Sequence, residues 1–257
     1  MSRGYSVGID IGSACAKTVV LAPDGTAVWR DVRPTGWSSV ETAEAVRADL
    51  QGKVETGVPV HIVATGYGRV SVPFADRCVT EISCHAKGAV AMFGADRLNV
   101  VDIGGQDTKL IIIENGLVSE FAMNDKCSAG TGRFLEVMAN TLSVTLAELC
   151  RMAEQGSATR ISSLCTVFAE SEVINLIGRG TPRENIAWAV IDSIAQKVKT
   201  QAVKVTPGDG PLYLTGGLCD FPFVCERLEK AFGRKVFTLP EARFAGALGA
   251  AIFASAL

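Results

Sequence analysis

The chain has no Cys-x-x-Cys pair, no long basic run and no apolar stretch of the roughly 18 residues that a membrane span requires. Each absence excludes a class. Without zinc-type spacing, the eight cysteines are not the ligands of a zinc finger or ribbon. In a cytosolic chain they are not a disulfide framework either. A formal net charge of −2 without a basic cluster excludes nucleic acid as an expected partner. The run from Phe244 to Leu257 is apolar but short, and its Ala and Gly content reads as a packed helix rather than a membrane segment. Met1-Ser2-Arg3-Gly4-Tyr5 leads straight into an apolar strand, with no signal-peptide pattern, so a soluble cytoplasmic protein is expected.

What is present is a globular balance, 48% hydrophobic and 20% charged over 257 residues, enough for one large domain or two small ones. The strongest organising signal is an internal repeat. Val7-Gly8-Ile9-Asp10-Ile11-Gly12-Ser13 leads into Lys17-Thr18-Val19-Val20-Leu21, a turn at Asp24-Gly25, and Ala27-Val28-Trp29. Val100-Val101-Asp102-Ile103-Gly104-Gly105 leads into Thr108-Lys109-Leu110-Ile111-Ile112-Ile113, a turn at Asn115-Gly116, and Leu117-Val118. Both read as strand, glycine turn, strand, tight turn, strand, and Asn-Gly between apolar runs is a strong hairpin signal.

Between the copies the pattern predicts a helix over Ser39 to Gln51, a strand over Val60 to Ala64 and a helix over His85 to Phe93. After the second copy the chain turns mainly helical. Thr181-Pro182-Arg183-Glu184 predicts a capping box with Pro at the first helical position, and Ile186, Val190, Ile194 and Val198 form one stripe of that helix. Leu212-Tyr213-Leu214 reads as a buried strand entering Thr215-Gly216-Gly217. A helix from Phe223 ends at Gly233, and a last one begins near Ala245. Alternating strands and helices imply an α/β fold.

A carboxylate at the end of one strand, matched by one at the end of its repeat, suits magnesium, which prefers oxygen ligands and is shared with phosphate. Asp10 and Asp102 are therefore the candidates for magnesium and water positioning. Glycines after each Asp let backbone N–H groups approach phosphate oxygens. This nominates Gly12, Ser13, Lys17, Gly104 and Gly105 for the phosphates of ATP or ADP, and Gly216 and Gly217 for adenosine. Gln106 and Glu170 are further polar candidates, although Glu170 also reads as a solvent-facing helix residue. Each piece alone is a common turn; the duplication and the order phosphate, phosphate, adenosine give them weight. Together they resemble a duplicated actin/Hsp70/sugar-kinase-like ATPase fold. That likeness implies two ribonuclease H-like halves with a nucleotide cleft between, expected over 1–95 plus 245–257 and over 96–244.

Cys127, in Asn124-Asp125-Lys126-Cys127-Ser128-Ala129-Gly130-Thr131-Gly132, and Cys165, in Ser163-Leu164-Cys165-Thr166-Val167-Phe168, each stand just before a predicted helix. Spacing alone reads them as ordinary core thiols, and Cys78, Cys84, Cys150 and Cys225 are read that way, as small buried hydrophobes. The surrounding residues are more distinctive. Asp102-Ile103-Gly104-Gly105-Gln106-Asp107, the segment Met123 to Phe134, and Cys165 to Val173 resemble the activator component (component A, archerase) of 2-hydroxyacyl-CoA dehydratases, in the BadF/BadG/BcrA/BcrD ATPase family. Thr65-Gly66-Tyr67-Gly68-Arg69 and Glu81-Ile82-Ser83-Cys84-His85-Ala86 share that likeness, which runs from Val7 nearly to the C-terminus.

The resemblance implies a homodimer with one 4Fe-4S cluster, held by Cys127 and Cys165 from each copy. A cubane usually needs four thiolates, and this chain offers two. It also implies ATP-driven one-electron transfer to a 2-hydroxyacyl-CoA dehydratase or a related iron–sulfur reductase, with ferredoxin or flavodoxin as donor. Benzoyl-CoA reductase ATPase subunits and reductases of double-cubane cluster proteins are the nearest rivals. A cluster-free sugar kinase and a non-catalytic iron–sulfur sensor are the rivals of other classes. His61 and His85 read as packing or surface residues. Ala14-Cys15 and Leu218-Cys219-Asp220 depart from the family pattern beside the two ends of the nucleotide site, and Cys15 reads as a small side chain there.

Overall fold

The computed structural model describes residues 4–124, 126–162 and 165–257. Asp125 of the first cysteine motif, Ser163 and Leu164 of the second, and Met1-Ser2-Arg3 lie outside the described residues. The chain divides into two compact units, one comprising the chain up to Leu98 with Ile113–Ser119 and Glu241–Leu257, the other Asn99–Ile112 and Glu120–Pro240.

The first unit carries strands β1 (Tyr5–Ile11), β2 (Cys15–Leu21), β3 (Ala27–Pro34), β4 (Val60–Thr65) and β5 (Arg77–Cys78), with helices α1 (Ser39–Leu50), α2 (Glu81–Phe93) and α8 (Ala245–Ala254). Its sheet has the order β3-β2-β1-β4-β5. β1 is wholly buried because both faces are covered, and its apolar side chains follow from that. On one face Val7, Ile9 and Ile11 pack with Ala43, Val46 and Leu50 of α1. On the other, Val19 and Leu21 meet Ala247 and Ala251 of α8. α8 lies so close to the sheet that a Cβ on Gly8 would stand 1.9 Å from the Ala247 carbonyl oxygen.

The second sheet has the order β10-β9-β6-β7-β8, using β6 (Leu98–Ile103), β7 (Thr108–Glu114), β8 (Leu117–Asn124), β9 (Leu212–Gly216) and β10 (Val236–Phe237). Read from β8, it repeats the first sheet strand for strand, so the duplication in sequence is a duplication in topology. Asn115 (φ 54°) and Gly116 (φ 74°) form the two-residue turn between β7 and β8; both lie in the left-handed region that a type I′ hairpin requires. Helices α3 (Gly132–Thr141), α4 (Leu146–Glu154), α5 (Thr166–Gly178), α6 (Arg183–Ala202) and α7 (Pro222–Phe232) complete it. The expected stripe Ile186, Val190, Ile194 and Val198 is buried in this unit's core. Gly233 ends α7 at φ 67°, as its position predicts.

Two local expectations fail. The capping box at Thr181 does not form: Pro182 is the N-cap of α6 and no side chain caps it. The backbone of Thr181 is already committed to ending α5, where its N–H donates to Leu176 O (3.0 Å) and Gly180 N–H to Ile177 O (2.9 Å), with Gly180 at φ 73°. That is a Schellman ending, and it shifts the next helix start by one residue. Cys78, expected buried, is exposed because it lies on the short edge strand β5, its Sγ 3.4 Å from Arg69 O. Cys84 and Cys150 are fully buried, and burial pushes each thiol up to about 12. Cys225 is half-buried.

Candidate functional site

In the first unit, β1 ends by delivering Asp10 to a buried position opposite Lys17 on β2 and Thr65 on β4. Lys17 Nζ is 4.0 Å from Asp10 Oδ2. Asp10 is 2% exposed, yet among the described residues its Oδ1 has no hydrogen-bond partner. Such an oxygen is costly unless something compensates it. The space beside it is kept by two glycines. A Cβ on Gly66 (φ 85°) would stand 2.4 Å from Asp10 Oδ1, and one on Gly246 would stand 2.8 Å from Oδ2. An orphaned carboxylate oxygen in a cradle that only glycine permits fits a hard cation. Immediately beyond, Gly12 N–H donates to Cys15 O (3.1 Å), closing a tight turn with Ser13 exposed at its tip. Cys15 is half-buried and contributes its backbone to that turn. His85 Nδ1 pairs with Glu81 O at 3.0 Å, and His61 is partly buried.

The second copy builds the same turn with a different electrostatic outcome. Gly104 N–H donates to Asp107 O (2.9 Å), and Gln106 is exposed at the tip. Asp102 is equally buried but engaged: Thr215 Oγ1 donates to its Oδ1 (2.7 Å) and Lys109 Nζ lies 3.3 Å from its Oδ2. Lys109 Nζ also sits 2.7 Å from Asp107 Oδ2, and this ammonium is 1% exposed. Thr65 holds the place of Thr215 in the first sheet but leaves Asp10 Oδ1 open. Gly216 ends β9 at φ 88°, where a Cβ would stand 2.3 Å from Ile103 O, so no other residue fits without displacing β6. Gly217 is exposed beside it, and Cys219 is buried.

The two cysteine loops lie in this second unit. Cys165 is itself the N-cap of α5, so the unpaired N–H groups of that helix's first turn lie at the thiol's own end. Cys127 stands farther off, in the loop ahead of α3, where Asn124 Nδ2 donates to Cys127 O (2.7 Å) and Ala129 O (3.2 Å). Both thiols are exposed and free. Their loops touch, with Ser128 Oγ and Thr166 Oγ1 2.8 Å apart. Val167 and Phe168, directly after Cys165, are 67% and 68% exposed, an unusual place for large apolar side chains. Glu170 does not face solvent freely: its Oε1 accepts from Thr141 Oγ1 at 3.1 Å, joining α5 to α3.

Within its own unit, the structure brings Asp10, Gly12, Ser13 and Lys17 to one strand-end cluster. Asp102, Gly104, Gly105, Gln106, Gly216 and Gly217 gather at the ends of β6 and β9. The sequence nominates Lys17 for this site but not Lys109, Thr215, Gly66 or Gly246. Lys109 was recoverable by symmetry, because it occupies the place of Lys17 in the repeat. Gly66 stands in the Thr65-Gly66-Tyr67-Gly68-Arg69 motif and Gly246 in the Ala- and Gly-rich C-terminal run, but only tertiary packing sets them against Asp10.

Component A of (R)-2-hydroxyglutaryl-CoA dehydratase from Acidaminococcus fermentans superposes with a TM-score of 0.91 at 39% identity, covering 98% of each chain. The activator of 2-hydroxyisocaproyl-CoA dehydratase from Clostridium difficile, solved with bound ADPNP, gives 0.88 at 33% identity, covering 98% of this chain and 94% of that one. A ROK family glucokinase from Streptomyces griseus, at 0.62 and 16% identity over 99% of this chain and all of that one, shares the fold. The profile of one family matches residues 7–254, and on this ground the chain belongs to the BadF/BadG/BcrA/BcrD ATPase family.

Proposed function

We propose that this chain is an ATP-dependent one-electron transfer protein that activates a 2-hydroxyacyl-CoA dehydratase or a related iron–sulfur enzyme. The carrying observation is half a metal site: two free, exposed thiols on touching loops, bordered by uncovered apolar side chains. A soft thiolate pair suits an iron–sulfur group, and a second copy supplies the other pair. Cys127 and Cys165 of each copy hold the cluster, and Val167 and Phe168 are covered by the partner subunit. When bound, the 4Fe-4S cluster supplies a one-electron carrier, loaded by a reduced ferredoxin or flavodoxin. The N-terminal N–H groups of α5 favour negative charge beside Cys165.

In this reading the nucleotide is ATP with magnesium. Asp10 offers its open oxygen to the cation. Gly12, Ser13, Lys17, Gly104 and Gly105 hold phosphates through backbone N–H groups, a hydroxyl and an ammonium. Asp102, held by Lys109 and Thr215, orients water together with Gln106, and Gly216 and Gly217 receive the adenosine. ATP favours one conformation by differential affinity, and that bias is what the protein transmits to its cluster and its acceptor enzyme.

Anaerobic purification with iron analysis, EPR and an ATPase assay tests this. We expect about four irons per dimer, lost in Cys127→Ala and in Cys165→Ala. Asp10→Ala is expected to abolish ATP turnover and keep the iron. An iron-free monomer that phosphorylates a sugar would overturn the reading.

A further inference from the structure

Two thiols that serve one metal group must keep a set spacing, yet Cys127 and Cys165 belong to distant stretches of the chain. What joins their loops is a pair of hydroxyls, Ser128 Oγ and Thr166 Oγ1, 2.8 Å apart, each belonging to the residue directly after a cysteine. Thr166 occupies the first turn of α5 but does not cap it: the N-cap is Cys165, and among the described residues no side chain closes that helix end. Its hydroxyl is turned to the other loop instead. Farther along α5, Glu172 accepts from Ser162 N–H at 3.1 Å.

The Cys127 loop is tied in turn to the second glycine turn. Gly132 N–H donates to Gly104 O (2.9 Å) and Arg133 N–H to Gly105 O (2.7 Å). Thr108 Oγ1 donates to Gly130 O at 2.6 Å. Thr131, fully buried, donates to Ser128 O from its hydroxyl (2.7 Å) and from its N–H (3.1 Å). The links run without a gap from the Gly104-Gly105 turn through Gly130 to Arg133, to Ser128, and across to Thr166. Hydrogen bonds weaken steeply as distance and angle depart from their optimum, so a displaced turn displaces or breaks the next link.

We infer that Ser128 and Thr166 are positioning residues whose hydroxyl pair couples the Gly104-Gly105 turn to the spacing of the two cysteine thiols. A phosphate bound at that turn then alters the surroundings of a metal group held by Cys127 and Cys165. This rests on the proposed reading of the cysteines as cluster ligands and of the turn as a phosphate site.

The test uses full-length dimer with its cluster, as wild type, Ser128→Ala, Thr166→Val and Thr166→Ser. Binding of a non-hydrolysable ATP analogue is measured directly, and three quantities are read with and without it: iron content, the EPR line shape of the reduced cluster, and the rate at which a ferrous chelator removes iron. Wild type and Thr166→Ser, which keeps the hydroxyl, are expected to change line shape and chelation rate on binding the analogue. Ser128→Ala and Thr166→Val are expected to bind the analogue and lose that response. The two variants remove one bond from opposite sides, so if one fails to fold the other decides. A wild-type response in both, no response in a wild type that binds the analogue, or a loss that Thr166→Ser shares overturns the inference alone, whereas a wild type that does not bind it overturns the phosphate reading as well. Wild-type protein without iron overturns the ligand reading, and the inference with it.

Discussion

Lys109 is the side chain whose burial most demands an account. It is 1% exposed and its ammonium lies between Asp102 and Asp107. A charge taken out of water must be paired, and removing one partner leaves the other charge stranded. Lys109→Met is expected to destabilise the fold by about 3–5 kcal/mol, measured by urea unfolding of the metal-free protein. A loss below 1 kcal/mol would mean that Asp102 finds another partner. The buried thiols make a pH prediction with a definite sign. Burial holds Cys84 and Cys150 protonated up to about 12, whereas an unfolded cysteine ionises near about 8.5. The folded state therefore gains stability from them that is complete below the unfolded pKa and is lost as pH rises from there towards 12. Thermal unfolding between about pH 8 and pH 11 should show a falling midpoint, flattened in the Cys84→Ala, Cys150→Ala double variant. Alkylation of the folded, metal-free protein should reach Cys78, Cys127 and Cys165 and spare Cys84 and Cys150. None of this separation was legible in the sequence, where Cys78 and Cys84 look alike. An edge strand exposes one and a helix buries the other.

The helix pair α2 and α8 is joined backbone to backbone. A Cβ on Gly88 would stand 1.9 Å from Ala245 O, and one on Gly249 would stand 1.8 Å from Cys84 O. The Ala and Gly content of the C-terminal run, which the sequence marks as a packed helix, serves this close approach. Gly249→Ala gains helix propensity of about 1 kcal/mol, but the added carbon must drive the helices apart. Overpacking of this kind costs about 1–3 kcal/mol, and contact with backbone rather than a movable side chain places the result at or above the upper end. Denaturant midpoints of Gly249→Ala and of Gly178→Ala separate the two terms, since Gly178, also helical, meets nothing within 4 Å of an added Cβ and reports the propensity term alone. Element starts and stops were largely readable: α1 begins at Ser39 as expected, Asn115-Gly116 turns β7 into β8, and Gly233 ends α7. The start of α6 was not, because the competing use of Thr181 belongs to the helix before it. A capping box read from four residues has no knowledge of the carbonyls those residues are already closing.

For the molecule as a whole, the open question is what covers the surface around the two cysteines. Val167 and Phe168 are exposed directly after Cys165, and Ile174 is exposed farther along α5; a second copy is the occupant proposed above. Phe168→Glu is expected to shift the dimer towards monomer in light scattering and to lower retained iron. A dimer of wild-type stability and iron content would remove Phe168 from the interface. The duplicated strand-and-turn segments, the two Asp-bearing strand ends, the glycine turns after them and the pair of cysteine motifs could be read from the chain alone. These are local matters of periodicity, turn chemistry and spacing, which a linear string carries. Folding across distant strands is what leaves Asp10 an open oxygen while Asp102 is engaged by Thr215 and Lys109. It alone made Gly66 and Gly246 the walls of that opening, and brought Ser128 against Thr166. Those outcomes depend on which atoms meet across distant strands and loops, and burial then sets how much an unpaired oxygen or a bonded hydroxyl is worth.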